Sequence, residues 1–283
     1  LKILFGEKIF PIFFKFNRTK IFVKSKMKKN FFPLKRLGQV FLVKKEVVKK
    51  IIEAADLKKE ETVLEIGPGK GVLTCELAKR VKKVVAVEKD KRLVEFLKKK
   101  KIKNVEVLEG DILKILKNLP PFEKVVANIP YYLTSRLIRE LLEMKRKPKT
   151  IVLMVQKEVA QRVCAKPPKT NLLALTVQFW AKPKIVAFVS KDCFWPKPKV
   201  DSAILKIVPS PPLLPPRSRK RFFQIVKAGF SQPRKQLANN LSKFFSVKKE
   251  EIQKWLLEIG VDPKVRAENL SFKNWLDLLN FIK

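Results

Sequence analysis

The sequence predicts an α/β protein: a mainly parallel sheet covered by helices on both faces, followed by a small all-α domain. Three observations carry this expectation. From Leu37 to about Val208, apolar runs of four to six residues alternate with amphipathic helical periods, the pattern of strands buried on both faces. Three of the chain's eight glycines fall within five residues, in Glu65-Ile66-Gly67-Pro68-Gly69-Lys70-Gly71, directly after one such run. Beyond Pro209-Ser210-Pro211-Pro212-Leu213-Leu214-Pro215-Pro216 the apolar spacing is helical throughout.

Taken in order, Thr62–Ile66 reads as a strand and 71–80 as the helix that follows it. Val84–Glu88 is a second strand, with a helix from Lys91, and Val105–Glu109 and 124–128 are further strands. A helix covers 134–144, and 151–156, 185–189 and 203–208 complete the sheet. The last two have no clear helix between them, so they are expected to form an antiparallel hairpin at its edge. Helical periods then cover 219–230, 234–244, 249–260 and 272–281. The expected organisation is a basic, unstructured extension over 1–36, a sheet domain over 37–208, a stiff proline-rich linker over 209–218 and a helical domain over 219–283. The chain opens on Leu, and Met27 is a candidate start that would leave 1–26 as upstream translation.

Charge narrows the partner. With 64 Lys and Arg against 26 Asp and Glu, the formal net charge is +38. Self-repulsion of that size weakens a compact fold unless a polyanion offsets it, and nucleic acid is the leading choice. A lysine-rich proteome accounts for part of the excess. The longest apolar run in the extension, Ile9 to Phe14, is too short to cross a membrane. The three cysteines are far apart and form neither a metal-ligand pair nor a disulfide framework, which suits a reducing cytoplasm. Histidine is absent, which removes Ser-His and Cys-His nucleophile systems and imidazole-based zinc sites.

A glycine cluster between strand and helix lets a nucleotide-like ligand approach the backbone. The loop lacks the third glycine of a dinucleotide fingerprint, because position 72 is Val, and the Gly-Lys-Ser/Thr ending of a phosphate loop. Glu88 ends the second strand, where a carboxylate accepts from ribose hydroxyls. Asp111 follows Gly110 after the third, placed for an adenine amine. Two such acids without a phosphate loop point to S-adenosyl-L-methionine. Each of Asn128-Ile129-Pro130-Tyr131 then has a role. The N6 nitrogen of adenine is a poor nucleophile because its lone pair is delocalised into the ring. An amide oxygen from Asn128 and the carbonyl of Ile129, accepting its two N–H bonds, localise that pair; Pro130 fixes the turn and Tyr131 offers a stacking face. The mechanism requires neither a strong base nor a metal.

These residues, with Leu37–Leu42, Met154–Val159, Phe194–Ala203 and Arg266–Ser271, make the chain similar to the small-subunit ribosomal RNA adenine N6,N6-dimethyltransferases, a Rossmann-like family. The resemblance runs from about Leu37 to the C-terminus. It implies a monomer that dimethylates two adjacent adenines near the 3′ end of small-subunit ribosomal RNA in an assembling particle. It implies donor contacts from Gln39, Val40, Leu42, Gly67, Gly69, Glu88, Asp111 and Asn128, and a target adenine held between Tyr131 and Phe194. Read without the family, an aromatic before Pro-x-Pro such as Phe194 is a loop anchor. Arg234, Lys235 and Arg266 are expected to grip RNA backbone.

The chain departs from the family pattern in two places. Position 40 is usually Asn or His and here is Val, and a Tyr-Gly pair is replaced by Thr170-Asn171. Two alternatives share these features: a large-subunit adenine methylase of the macrolide-resistance type, and an RNA-binding assembly or transcription factor that has lost turnover.

Overall fold

The computed structural model describes residues 32–282; most of the expected 1–36 extension lies outside them. A 3-10 turn at Lys35–Leu37 leads into β1 (Phe41–Leu42), α1 (Lys45–Ala55), β2 (Thr62–Ile66), α2 (Val72–Ala78) and β3 (Lys83–Glu88). Then come α3 (Lys91–Lys99), β4 (Val105–Glu109), α4 (Ile112–Ile115), β5 (Lys124–Asn128), α5 (Thr134–Glu143) and β6 (Thr150–Gln156). After α6 (Lys157–Val163) and α7 (Leu172–Trp180) follow β7 (Ala181–Val189), β8 (Phe194–Trp195) and β9 (Ser202–Pro209). Four helices close the chain: α8 (Pro216–Gly229), α9 (Leu237–Phe245), α10 (Lys249–Glu258) and α11 (Phe272–Leu278).

Seven strands form one sheet in the order β4-β3-β2-β5-β6-β9-β7. The first five are parallel, and β9 runs antiparallel to both β6 and β7. The apolar runs follow from burial on both faces. Leu64, Val85, Val125 and Ile151 face one core with Leu137 and Leu141, whereas Val63, Val84, Val126 and Val152 face the other with Ile51 and Leu77. All twelve are fully buried, and each such side chain contributes about 1.5–3 kcal/mol. The expected edge hairpin is present, with β7 outermost.

The strand order reverses at β2: the chain passes outward through β3 and β4, then returns to place β5 on the other flank. In such sheets the crevice opens beyond the carboxyl ends of the two strands at the reversal. Here those ends are Ile66, leading into the glycine loop, and Asn128.

The last four helices enclose a third core built on Phe222, Ile225, Leu241, Leu256 and Trp275. Leu175 and Phe179 of α7 are buried in it, while Val177 faces the sheet. The Phe179 ring lies 5.1 Å from that of Phe222 and 4.9 Å from that of Phe223. One helix therefore packs into both cores.

Three elements begin three or more residues from their expected starts. Strand β7 begins at Ala181, not 185, because an edge strand tolerates Pro183. Helix α8 begins at Pro216 and shortens the linker, the first helical turn being where proline's missing N–H costs nothing. Helix α9 begins at Leu237, not 234, because residues 232–235 form a turn in which the Lys235 N–H donates to the Gln232 carbonyl.

Candidate active site

The glycine loop folds as its composition requires. Gly67, Gly69 and Gly71 take φ values of +67°, +57° and +77°, a region that costs other L-residues roughly 1–2 kcal/mol. A Cβ on Gly69 would lie 3.1 Å from the Phe41 ring, and one on Gly71 would lie 2.6 Å from a Leu97 methyl. The loop is thus bare backbone pressed between β1 and α3.

Glu88, at the carboxyl end of β3, is buried and points into this loop. Its Oε2 accepts from the Gly69 N–H at 3.1 Å, and its Oε1 from the Lys89 and Asp90 N–H groups at 2.9 and 3.0 Å. Burial raises its pKa, and these three donors offset part of the effect. Asp111 caps α4, accepting from the Leu113 N–H, and its second oxygen takes a hydrogen bond from the Lys89 ammonium at 2.9 Å. That ammonium holds Asp111 below the usual carboxylate range. The residues present fit S-adenosylmethionine in kind: a bare loop that admits a ligand against its backbone, flanked by carboxylates at the ends of β3 and β4.

Asn128 closes β5 across the crevice. Its Nδ2 donates to the Val40 carbonyl at 3.1 Å. A carbonyl accepts only, so this bond selects which end of the amide faces it and leaves Oδ1 turned the other way. The position at which the family usually carries Asn or His therefore acts here through its backbone, which Val provides as well as any residue. Gln39 has spent its amide on the protein, accepting from the Leu34 N–H at 2.8 Å and donating to Asp90 at 2.9 Å. Leu42 is buried opposite Phe194 in the β1–β8 pair.

The rest of the motif is a rigid turn. Ile129 is buried, and the Leu133 N–H donates to the Pro130 carbonyl. A Cβ on Gly38 would meet Pro130 at 3.5 Å and the Tyr132 ring at 3.6 Å, so the segment before β1 packs on this turn. The Tyr131 hydroxyl lies 2.8 Å from Ser202 Oγ, and burial raises its pKa, which keeps it protonated. Phe194 is only 4% exposed and packs in the sheet core, where it anchors its loop.

The model of the ribosomal RNA adenine dimethylase family matches residues 32–283. The chain belongs to the ribosomal RNA adenine dimethylase family. The enzymes it is similar to include the ribosomal RNA small subunit methyltransferase A of Dehalococcoides mccartyi strain BAV1, 45% identical over 86% of both chains. The protein of the same name from Clostridium botulinum strain Loch Maree is 40% identical over 85% of this chain and 90% of that one. Among solved structures, a dimethyladenosine transferase from Plasmodium falciparum superposes with a TM-score of 0.71 at 30% identity, covering 85% of this chain and 96% of that one. The 23S rRNA methyltransferase ErmE superposes with a TM-score of 0.72 at 29% identity, covering 86% and 99%. The architecture is accordingly the Rossmann-like one of rRNA adenine methyltransferases.

In this dimethylase the second departure has a structural answer. Asn171 caps α7, its Oδ1 accepting from the Ala174 N–H at 3.0 Å while its Nδ2 donates to the Arg162 carbonyl at 2.9 Å. The Arg266–Ser271 stretch holds the preceding loop: the Thr170 N–H donates to the Glu268 carbonyl, and Asn269 donates to that of Pro168. Arg234, Lys235 and Arg266 are exposed. They are also near one another in the fold, since the Leu237 N–H donates to the Val265 carbonyl at 2.8 Å.

Sequence reasoning missed four groups at this site. Ser202 fixes Tyr131 from a distant strand. Asp90 caps α3 and receives Gln39; its position before a helical period was a readable cap signal. Lys89 pairs with Asp111. Glu65, on β2, is buried with one carboxyl oxygen lacking a partner among the described residues.

Proposed function

We propose that this enzyme uses S-adenosylmethionine to dimethylate N6 of two adjacent adenines near the 3′ end of small-subunit ribosomal RNA, within an assembling particle. The observation that carries the reading is the Asn128 amide, held by the Val40 carbonyl with Oδ1 unspent at the mouth of the glycine-loop crevice. The 45% identity to relatives named for the small subunit favours that substrate over the large subunit named for ErmE.

The backbone of Gly67 and Gly69 would receive the donor, Glu88 its ribose hydroxyls and Asp111 its adenine amine, with Leu42 and Val40 on the flank. When bound, the donor supplies a methyl group on a sulfonium. The chain's own part is to present the acceptor. Asn128 Oδ1 and the Ile129 carbonyl accept the two N6–H bonds, so the nitrogen lone pair is localised away from the ring. Pro130 keeps the two acceptors in one turn. Tyr131, tied by its hydroxyl to Ser202, offers one face to a base taken out of its stack, and Phe194 backs the pocket from the core. The methylated nitrogen is cationic and acidic enough to lose its proton to water, so no general base is needed. Arg234, Lys235 and Arg266 would hold RNA phosphates.

Tritiated methyl transfer to under-methylated small subunits, with large subunits alongside, tests this reading. Label in the small subunit alone is the expected result, and label only in the large subunit would overturn it.

A further inference from the structure

Lys70 sits inside the glycine loop, its backbone held between two left-handed glycines. Its Nζ lies 5.1 Å from the centroid of the Phe41 ring and 5.3 Å from that of Trp195. Those rings belong to residues directly opposite in the β1–β8 pair. Successive strand residues point to opposite faces, and β8 obeys this: Phe194 turns inward, whereas Trp195 turns outward and is 43% exposed. Among the described residues no carboxylate pairs with Lys70, so two rings steer the ammonium while its N–H donors remain unspent. The cluster adjoins both pockets: Gly69 presses on Phe41, and Val40, one residue before Phe41, orients Asn128.

An outward aromatic face beside an ammonium without an acidic partner is the combination that binds single-stranded nucleic acid, the ring taking a base and the cation a backbone phosphate. We propose that Trp195 stacks the nucleotide flanking the target adenine and that Lys70 takes the phosphate joining the two, so that the donor loop itself registers the RNA. This rests on the function proposed above. Both residues are positioning residues, acting on RNA placement and not on the reacting atoms. A cluster that merely closed the donor pocket would act on donor affinity instead.

The test is methyl transfer to under-methylated small subunits by full-length Trp195→Leu, Trp195→Phe and Lys70→Met, each checked for wild-type melting. Donor affinity is measured separately by equilibrium dialysis. Wild-type transfer tests the function itself; the variants test the cluster. Trp195→Leu is expected to raise KM for the subunits at least about fivefold, the lower range for losing one base–aromatic stack. Its kcat and donor Kd should stay within about twofold of wild type, and Trp195→Phe should restore KM. Lys70→Met should raise KM and lessen its dependence on salt by about one phosphate contact. Unchanged KM in both Trp195→Leu and Lys70→Met would overturn the proposal. So would weakened donor binding with an unchanged KM, which would make the cluster a clasp on the donor pocket.

Discussion

Replacing Glu65 by Gln isolates the one fully buried carboxyl beside the glycine loop. Glu65 is 1% exposed, and its Oε2 has no hydrogen-bond partner among the described residues. Burial is the main reason its pKa is pushed up from 4.5 to about 8; the charge of Glu88 adds to this, and Thr74 and Lys100 offset part. The folded state therefore holds this proton more tightly than the unfolded chain does. The sign follows: Glu65 does not oppose folding below about pH 4.5, costs progressively more stability as pH rises toward 8, and costs a constant amount above. At about 1.4 kcal/mol per pH unit, the limiting cost is about 5 kcal/mol, and the part developed between pH 5.5 and 8.5 is about 3 kcal/mol. Glu65→Gln keeps the shape and removes the ionisation. Urea unfolding of donor-free wild type and variant at pH 5.5, 7 and 8.5 reads the difference directly. The variant should gain on the wild type by about 3 kcal/mol across that range. A pH-independent difference would mean that Glu65 holds the same charge in both states throughout, and that its burial does not shift its proton.

Other predictions concern the site more directly. Asn128→Ala should reduce kcat by about a hundredfold or more, the scale of losing one group aimed at the developing charge, while RNA affinity stays within about twofold. Equal loss of both would remove the role given to Asn128. Gly69→Ala places a residue with φ of +57° in a region costing roughly 1–2 kcal/mol, with its methyl 3.1 Å from the Phe41 ring. Calorimetry should show donor affinity falling by about tenfold, and unaltered affinity would mean that the loop is not the donor site. Gly229→Ala would drive a methyl into the Trp275 ring and against a Leu237 methyl, and overpacking of this kind costs about 1–3 kcal/mol, read as a lower urea midpoint with unchanged donor affinity. RNA binding should weaken more than about tenfold between 50 and 200 mM salt through counterion release; a flat response would mean that the +38 charge is not the binding surface.

Much of the sheet was legible because its strands are short apolar runs ended by turns: Thr62–Ile66, Val105–Glu109 and Lys124–Asn128 coincide with the expected limits. The glycine loop and the two acids at strand ends were legible for the same reason, being local signals. What could not be read depends on distant chain segments. The orientation of Asn128 is set by a carbonyl at Val40, and a backbone atom leaves no trace in residue type. For that reason the replacement of Asn or His by Val gave no hint that this position holds Asn128 through its carbonyl. The two-residue pairing of Phe41 with Trp195 is too short to leave a periodic pattern. Tyr131 and Ser202 meet only because β9 inserts beside β6 in the antiparallel sense. Asn171 was readable as a helix cap, yet it stood out first as a missing Tyr-Gly.

In the proposed function the Asn128–Tyr131 turn presents the exocyclic nitrogen of adenine. The most direct test is mass spectrometry of nucleosides digested from small subunits after exhaustive reaction with the wild-type enzyme. N6,N6-dimethyladenosine is the expected product, at two adjacent positions, and Asn128→Ala should form it about a hundredfold or more slower. Methyl groups on a ring nitrogen or on ribose would contradict it, because the acceptors of this turn would then not be holding N6.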